Sequence, residues 1–215
     1  MDGARLRIEP YTPEWFRLRQ GAYTSSEVWK LMTDPRSKKE PISKTAETYI
    51  LEKVWEKLAG RDKTGIDNAA TQWGVENEPV AKRWYTKLTG NFLNGSVMMF
   101  HQDYPNFSAT PDDQVSDDGL LEIKCPWSGA NHLQHCFITT DEYFKENHKE
   151  YYWQCMGQMS VFGSSWVDFV SFDPRINSDL GFFCYRLHRN DEDIRAMLSR
   201  INSATLLFNQ YYAAF

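Results

Sequence analysis

Close cysteine pairs are missing from this 215-residue chain: Cys125, Cys136, Cys155 and Cys184 lie far apart, without the Cys-x-x-Cys spacing of a zinc site or redox motif. In a reducing compartment they are most simply free thiols. An iron-sulfur cluster on four cysteines is the sharper alternative, and it lacks the close spacing usual for cluster ligands. No apolar run approaches the roughly 18 residues of a membrane span, and the opening MDGARLRIEPY has no apolar stretch of the signal-peptide kind. A cytoplasmic protein without membrane contact is the expectation. Internal repeats, low-complexity tracts and a convincing linker are lacking too, which points to one domain over residues 1–215. The chain is not short of aromatics, as a disordered one would be: 41% of it is hydrophobic and 15% aromatic, so a globular core is expected.

Positive charge is also in deficit. A net charge of −5 argues at first against a nucleic-acid partner, because phosphate binding favours a basic surface. The sum does not decide the matter. Carboxylates gathered around a metal count as negative, while a local basic stretch such as Pro35–Lys39 (PRSKK) can still face DNA.

Apolar spacing predicts a short helix at Pro13–Gln20 and a second at Thr24–Met32, which opens on hydroxyl residues suited to capping. Lys44–Leu58 carries Ile50, Leu51, Val54, Trp55 and Leu58 at helical intervals, and Gly60 marks its end. Ala69–Leu88 reads as a long helix in which Pro79 implies a kink or boundary. The period then changes, giving strand candidates at Phe92–His101, Phe107–Val115, Gly119–Cys125, Trp166–Phe172 and Phe182–His188. Tyr143–Phe162 and Asp191–Tyr212 return to helical spacing. This order predicts an α/β fold with a mixed central sheet of about five strands flanked by helices.

The chemistry-bearing stretch is Ser108–Cys125, SATPDDQVSDDGLLEIKC. Alternation along a strand puts Leu121, Ile123 and Cys125 on one face and Glu122 and Lys124 on the other. Taken alone, a Glu-x-Lys triplet is an ordinary solvated strand face. The preceding Thr-Pro-Asp and the short acidic turn SDDG change that reading, because a hairpin of this kind can bring Asp112 beside Glu122. Two carboxylates held together need a divalent cation or a raised pKa. Magnesium suits such a site, taking oxygen ligands and keeping several waters. Lys124, on the face of Glu122, could orient the attacking water, assist its deprotonation and balance charge in the transition state.

TPD followed by EIK resembles the signature of the restriction-endonuclease-like, PD-(D/E)xK nuclease superfamily. More narrowly, the chain resembles the lambda-exonuclease family of phage and prophage recombination nucleases, the YqaJ-type viral recombinases, from Arg19 to the segment around Gln158. RQGAYTSSEV resembles the family segment in which Arg19 and Ser26 match binders of the 5′-phosphate of a DNA end. QWGVENEPVA places Glu78 as a further acid at the metal site. The central motif carries over Asp112, Glu122 and Lys124, with the Ile123 backbone carbonyl as a metal ligand. YYWQCMGQMSVFG resembles a helix whose glutamines, here Gln154 and Gln158, face the active site, and Arg36 matches an arginine that reaches DNA. Two departures stand out: Asp113 occupies the place of a common glycine, and Met156 that of a further glutamine.

Outside the resemblance, the same residues have plain readings. Arg19 is a helix-surface cation, Ser26 an N-cap, Glu78 and the glutamines solvated side chains, and PRSKK a solvated loop. His101, His132, His135 and His148 show no ligand spacing beyond a weak His132/His135 pair and are read as structural. The resemblance implies a magnesium-dependent exonuclease that degrades the 5′-terminated strand of linear double-stranded DNA in the 5′-to-3′ direction. It would release mononucleotides and leave a 3′ single strand for recombination. Two magnesium ions, with manganese substituting and calcium inhibiting, a ring-shaped homotrimer, a single-strand annealing partner and a phage or prophage origin belong to the same expectation. The alternatives are a structure-specific or sequence-tolerant endonuclease or repair nuclease of the same fold, and an inactive DNA-binding recombination scaffold.

Overall fold

The computed structural model describes residues 7–37, 42–60, 68–177 and 179–215. Local signals set most helix ends. Thr12 accepts from the Trp15 N–H at 3.2 Å ahead of Pro13, starting α1 (Pro13–Arg19). Ser43 accepts from the Ala46 N–H at 3.0 Å and Gly60 adopts φ 62°, bounding α2 (Lys44–Ala59). Asn68 and Gly90 bound α3 (Ala69–Thr89), which runs through Pro79 without a boundary.

The predicted helix Thr24–Met32 is instead a two-residue strand, β1 (Tyr23–Thr24), followed by a 3-10 turn at Val28–Met32. Tertiary pairing of Tyr23 with Phe107 and of Thr24 with Ser108 prevails over local helix signals. The candidate strand Phe92–His101 shrinks to β2 (Met99–Phe100), interrupted upstream where Gly95 takes φ 91°. The candidate Phe107–Val115 splits into β3 (Phe107–Ala109) and β4 (Asp113–Val115), which belong to different sheets. Pro111 falls in the break, where it has no N–H to give a ladder.

β1, β3 and β2 form a three-stranded sheet. The second sheet runs β4, β5 (Gly119–Lys124), β6 (Trp166–Phe172), β7 (Phe182–His188), antiparallel except for the parallel pair β5/β6. A parallel pair needs a crossover, and here it is helical: α4 (Gly129–His135), which the spacing did not reveal, then α5 (Asp141–Asn147) and α6 (Lys149–Phe162). The last two replace the single predicted helix Tyr143–Phe162, with the break at His148. α7 (Asp191–Ala213) closes the chain over α2 and the 3-10 turn. The architecture is thus mixed α/β, as expected, with its sheet strands divided between two sheets.

β5 is covered on both faces, so Glu122 is buried rather than solvated. Leu121 and Ile123 pack with Ala81 and Tyr85 of α3. Leu120 joins the larger core with Met156, Met159 and Phe169, under α6. A close approach fixes α6 against the small sheet: a Cβ on Gly157 would lie 3.1 Å from both the Phe107 ring and Ser25. No helix among the described residues is long and apolar enough to cross a membrane.

Candidate active site

The split between β3 and β4 delivers Asp112 to the end of β5. Its N–H donates to the Leu121 carbonyl at 3.0 Å, and its Oδ2 accepts from the Ile123 N–H at 2.6 Å. The N–H and C=O of one strand residue point to the same edge, so the Ile123 carbonyl also faces the Asp112 side. Asp113 is turned elsewhere. Its Oδ1 accepts from the backbone N–H of Gly95 at 2.6 Å and of Gln114 at 3.0 Å. Of the two neighbouring aspartates it is Asp112 that lines the cleft.

Glu122 points from β5 toward α6 and is only 2% exposed. Lys124 Nζ donates to its Oε1 at 2.6 Å and to Gln154 Oε1 at 3.2 Å. The Gln154 amide donates to Oε1 at 2.7 Å and the Gln158 amide to Oε2 at 2.5 Å. A buried carboxylate left without such donors would be costly.

Asp112, Glu122, Lys124 and Gln154 share a cleft of about 470 Å³ with Glu78, Arg19 and Ser26. Trp15, on α1, ties the first helix to the Thr-Pro-Asp turn, its indole N–H donating to Thr110 at 3.2 Å. Arg19, one turn on, stacks its guanidinium 4.0 Å from the Trp15 ring centroid. Ser26 lies at hydrogen-bond distance, 3.2 Å, from the Thr24 hydroxyl.

Burial is the main cause that raises the Asp112 pKa well above the usual carboxylate range. Glu122 and Glu78 add to it, and Lys124 and the Ile123 N–H oppose it. Burial works against the Lys124 charge, but Glu122 and Asp112 outweigh it and hold the ammonium protonated more firmly than usual. An ionised Asp112 is therefore disfavoured first by its burial and then by the neighbouring Glu122 and Glu78.

The site differs from expectation at several residues. Glu78 is within the cleft but paired 3.0 Å from Lys82, one turn along α3. Lys82 also donates to the Asp112 carbonyl at 2.7 Å and lies 3.4 Å from Asp113. The one trace Lys82 leaves in the sequence is its i+4 spacing from Glu78, which marks a helical ion pair. Tyr11, which lines the cleft with φ 63°, left no sequence signal. Arg36 is exposed and outside the residues that line the cleft, and Lys38 and Lys39 of the basic loop lie outside the described residues. The four cysteines are free. Among the described residues no group of three or more His, Cys, Asp or Glu side chains is close enough to hold a metal ion, which applies to the four cysteines and to the expected set Asp112, Glu122 and Glu78 alike. His132 and His135 do not form a ligand pair: each ring meets the Ser171 hydroxyl, at 2.9 and 2.8 Å.

The fold agrees with what comparison with known proteins finds. The profile of the YqaJ-like viral recombinase domain matches residues 14–165, and the chain belongs to that family. Among solved structures it is similar to an alkaline exonuclease (LHK-Exo) from Laribacter hongkongensis, at 30% identity over 94% of this chain and 95% of that one, with a TM-score of 0.81. The complex of LHK-Exo with dAMP matches at 31% identity with the same coverage and TM-score. A phage-related exonuclease from Haemophilus somnus 129PT shares the fold at 21% identity and TM-score 0.71, over 90% of this chain and 96% of that one. No functionally curated protein gives a significant sequence match.

Proposed function

We propose that the chain is one nuclease domain that hydrolyses linear double-stranded DNA from its ends, degrading the 5′-terminated strand in the 5′-to-3′ direction. The observation that carries this reading is the convergence of Asp112, Glu122 and Lys124 on the cleft that also holds Arg19 and Ser26. Family membership supports the reaction class, and the LHK-Exo complex with dAMP supports a mononucleotide product.

The donor set fits magnesium. Asp112 and Glu122 supply two carboxylates and Ile123 a carbonyl, the small number of protein oxygens that this ion takes while keeping waters and a substrate phosphate. Burial and the neighbouring Glu122 and Glu78 disfavour the Asp112 anion, and a bound cation would favour it. Glu78 is the candidate for a second ion, and Glu78 and Glu122 each enter the donor set with one oxygen already held by a lysine, Lys82 and Lys124 respectively. When bound, magnesium supplies Lewis-acid stabilisation of the attacked phosphate and favours a water nucleophile near neutral pH. Manganese takes its place, and calcium permits binding without turnover.

The chain's own groups do the rest. Gln154 and Gln158 fix the orientation of Glu122. Lys124, anchored by Glu122, directs an N–H toward the attacking water and offsets negative charge as it develops on the phosphate. Arg19 and Ser26 grip the 5′-phosphate, which sets strand choice and favours phosphorylated ends. Continued digestion of one molecule calls for a homotrimer ring around the duplex, and the 3′ strand passes to a single-strand annealing protein in the cytoplasm of a bacterial host. These last assignments rest on the family alone.

The test is a linear duplex labelled at either end, incubated with magnesium, beside a closed circular plasmid. Shortening from labelled 5′ ends with an intact circle is the expected result. Cutting of the circle would establish an endonuclease, and binding without cleavage an inactive scaffold.

A further inference from the structure

Tyr151 lies on α6 three residues before Gln154 and seven before Gln158, so the three share one helix face, the face that meets Glu122 and Lys124. The Lys124 ammonium stands 5.0 Å from the centroid of the Tyr151 ring. That distance is within range of the attraction between a cation and the negative face of an aromatic ring. We propose that Tyr151 is a positioning residue: its ring face, beneath the Lys124 ammonium, holds that lysine over Glu122 for the hydrolysis proposed above, and the inference rests on that reading.

The surroundings of the ring explain how it is held. The Glu150 side chain stands near the Tyr151 hydroxyl. Its ring meets His135 nearly edge-on at 5.4 Å and lies 5.5 Å from Phe169 of β6. His135 is itself locked by a chain of hydrogen bonds whose direction follows from one carbonyl. The Leu180 carbonyl only accepts, so His132 Nε2, 2.7 Å away, carries a proton. In a neutral ring His132 Nδ1 then accepts from the Ser171 hydroxyl at 2.9 Å, and the Ser171 oxygen accepts from His135 Nδ1–H at 2.8 Å. The two histidines thus support the wall behind Tyr151, and Ser171 sits opposite Lys124 in the β5/β6 register.

An aromatic face suits this lysine better than another acid would. Lys124 already meets Glu122 and Gln154, and a further carboxylate would draw the ammonium away from substrate. A π face confines the flexible four-carbon stem without capturing an N–H in a strong hydrogen bond.

The test keeps the shape of the ring and changes its charge distribution. Tyr151→Phe, then phenylalanines carrying progressively more ring fluorines at position 151, weaken the negative face with little change in volume. Single-turnover cleavage of 5′-phosphorylated duplex in magnesium is measured alongside end affinity in calcium. Tyr151→Phe is expected to stay within about twofold of wild type, and the most fluorinated ring to lose roughly 3- to 30-fold in rate, with affinity unchanged. In a Lys124→Ala background the same series should leave the residual rate flat, since a ring acting through Lys124 has nothing left to position. A rate insensitive to fluorination, or one that falls equally without Lys124, overturns the role. Failure of the wild-type protein to cleave duplex ends at all would instead overturn the functional reading beneath it.

Discussion

The Gln158 side-chain amide donates to Glu122 Oε2 at 2.5 Å, and both residues are buried, at 0% and 2% exposure. Gln158→Ala leaves that oxygen without its donor in a place water does not reach. The expected cost is about 1–3 kcal/mol, roughly 3–10 °C of Tm for a chain of this size. Turnover should fall as well, because an unrestrained Glu122 no longer presents its oxygens to the cleft. Gln158→Glu should do more damage, setting one carboxylate against another. Thermal unfolding of the three proteins, side by side, checks the order.

Lys124→Ala removes the ammonium that offsets charge on the phosphate. Cleavage should drop by about 10²- to 10⁴-fold, while affinity for duplex ends in calcium stays close to that of wild type. Turnover within a few-fold of wild type would rule out a catalytic part for this lysine.

Arg19 stacks on Trp15 in the cleft that Glu122 and Gln154 also line. Losing a charge-assisted contact to phosphate costs about 1.5–3 kcal/mol. Arg19→Ala should therefore shrink the kcat/KM advantage of 5′-phosphorylated over 5′-hydroxyl ends by about tenfold or more. Paired assays on the two substrates give the ratio directly, and an unaltered ratio would place the phosphate pocket elsewhere.

Much of this site was legible in the chain. Glu122 and Lys124 share a strand face because strands alternate, and Asp112 reaches them because Pro111 cannot continue a ladder. The bounds Trp166–Phe172 and Phe182–His188 stand as the pattern predicts. What the pattern could not carry is pairing over distance. Tyr23 and Thr24 become a strand only because Phe107 and Ser108 lie beside them. Glu122 appears solvated in the alternation and is buried because α6 covers it. Tyr151 and Lys82 act through partners 27 and 30 residues away, at Lys124 and Asp112, and neither separation leaves a local trace.

His135 gives a pH dependence of its own, outside the carboxylates of the cleft. Burial, then the neighbouring His148, His132 and Lys124, push its pKa down to about 3. In the unfolded chain it titrates near 6.5. Below that pH the unfolded state takes up a proton that the folded ring refuses, so this residue lowers stability progressively as pH falls from about 6.5 toward about 3. Above 6.5 both states are neutral and the effect vanishes. Within the window the slope is about 1.4 kcal/mol per pH unit for the single proton. His135→Gln should remove that slope while costing some stability near pH 8, where the Ser171 contact and the packing on Tyr151 and Phe169 are weakened. Urea unfolding of both proteins between pH 4 and 8 measures the difference, and curves that stay parallel across this range would mean that His135 is protonated in the folded state.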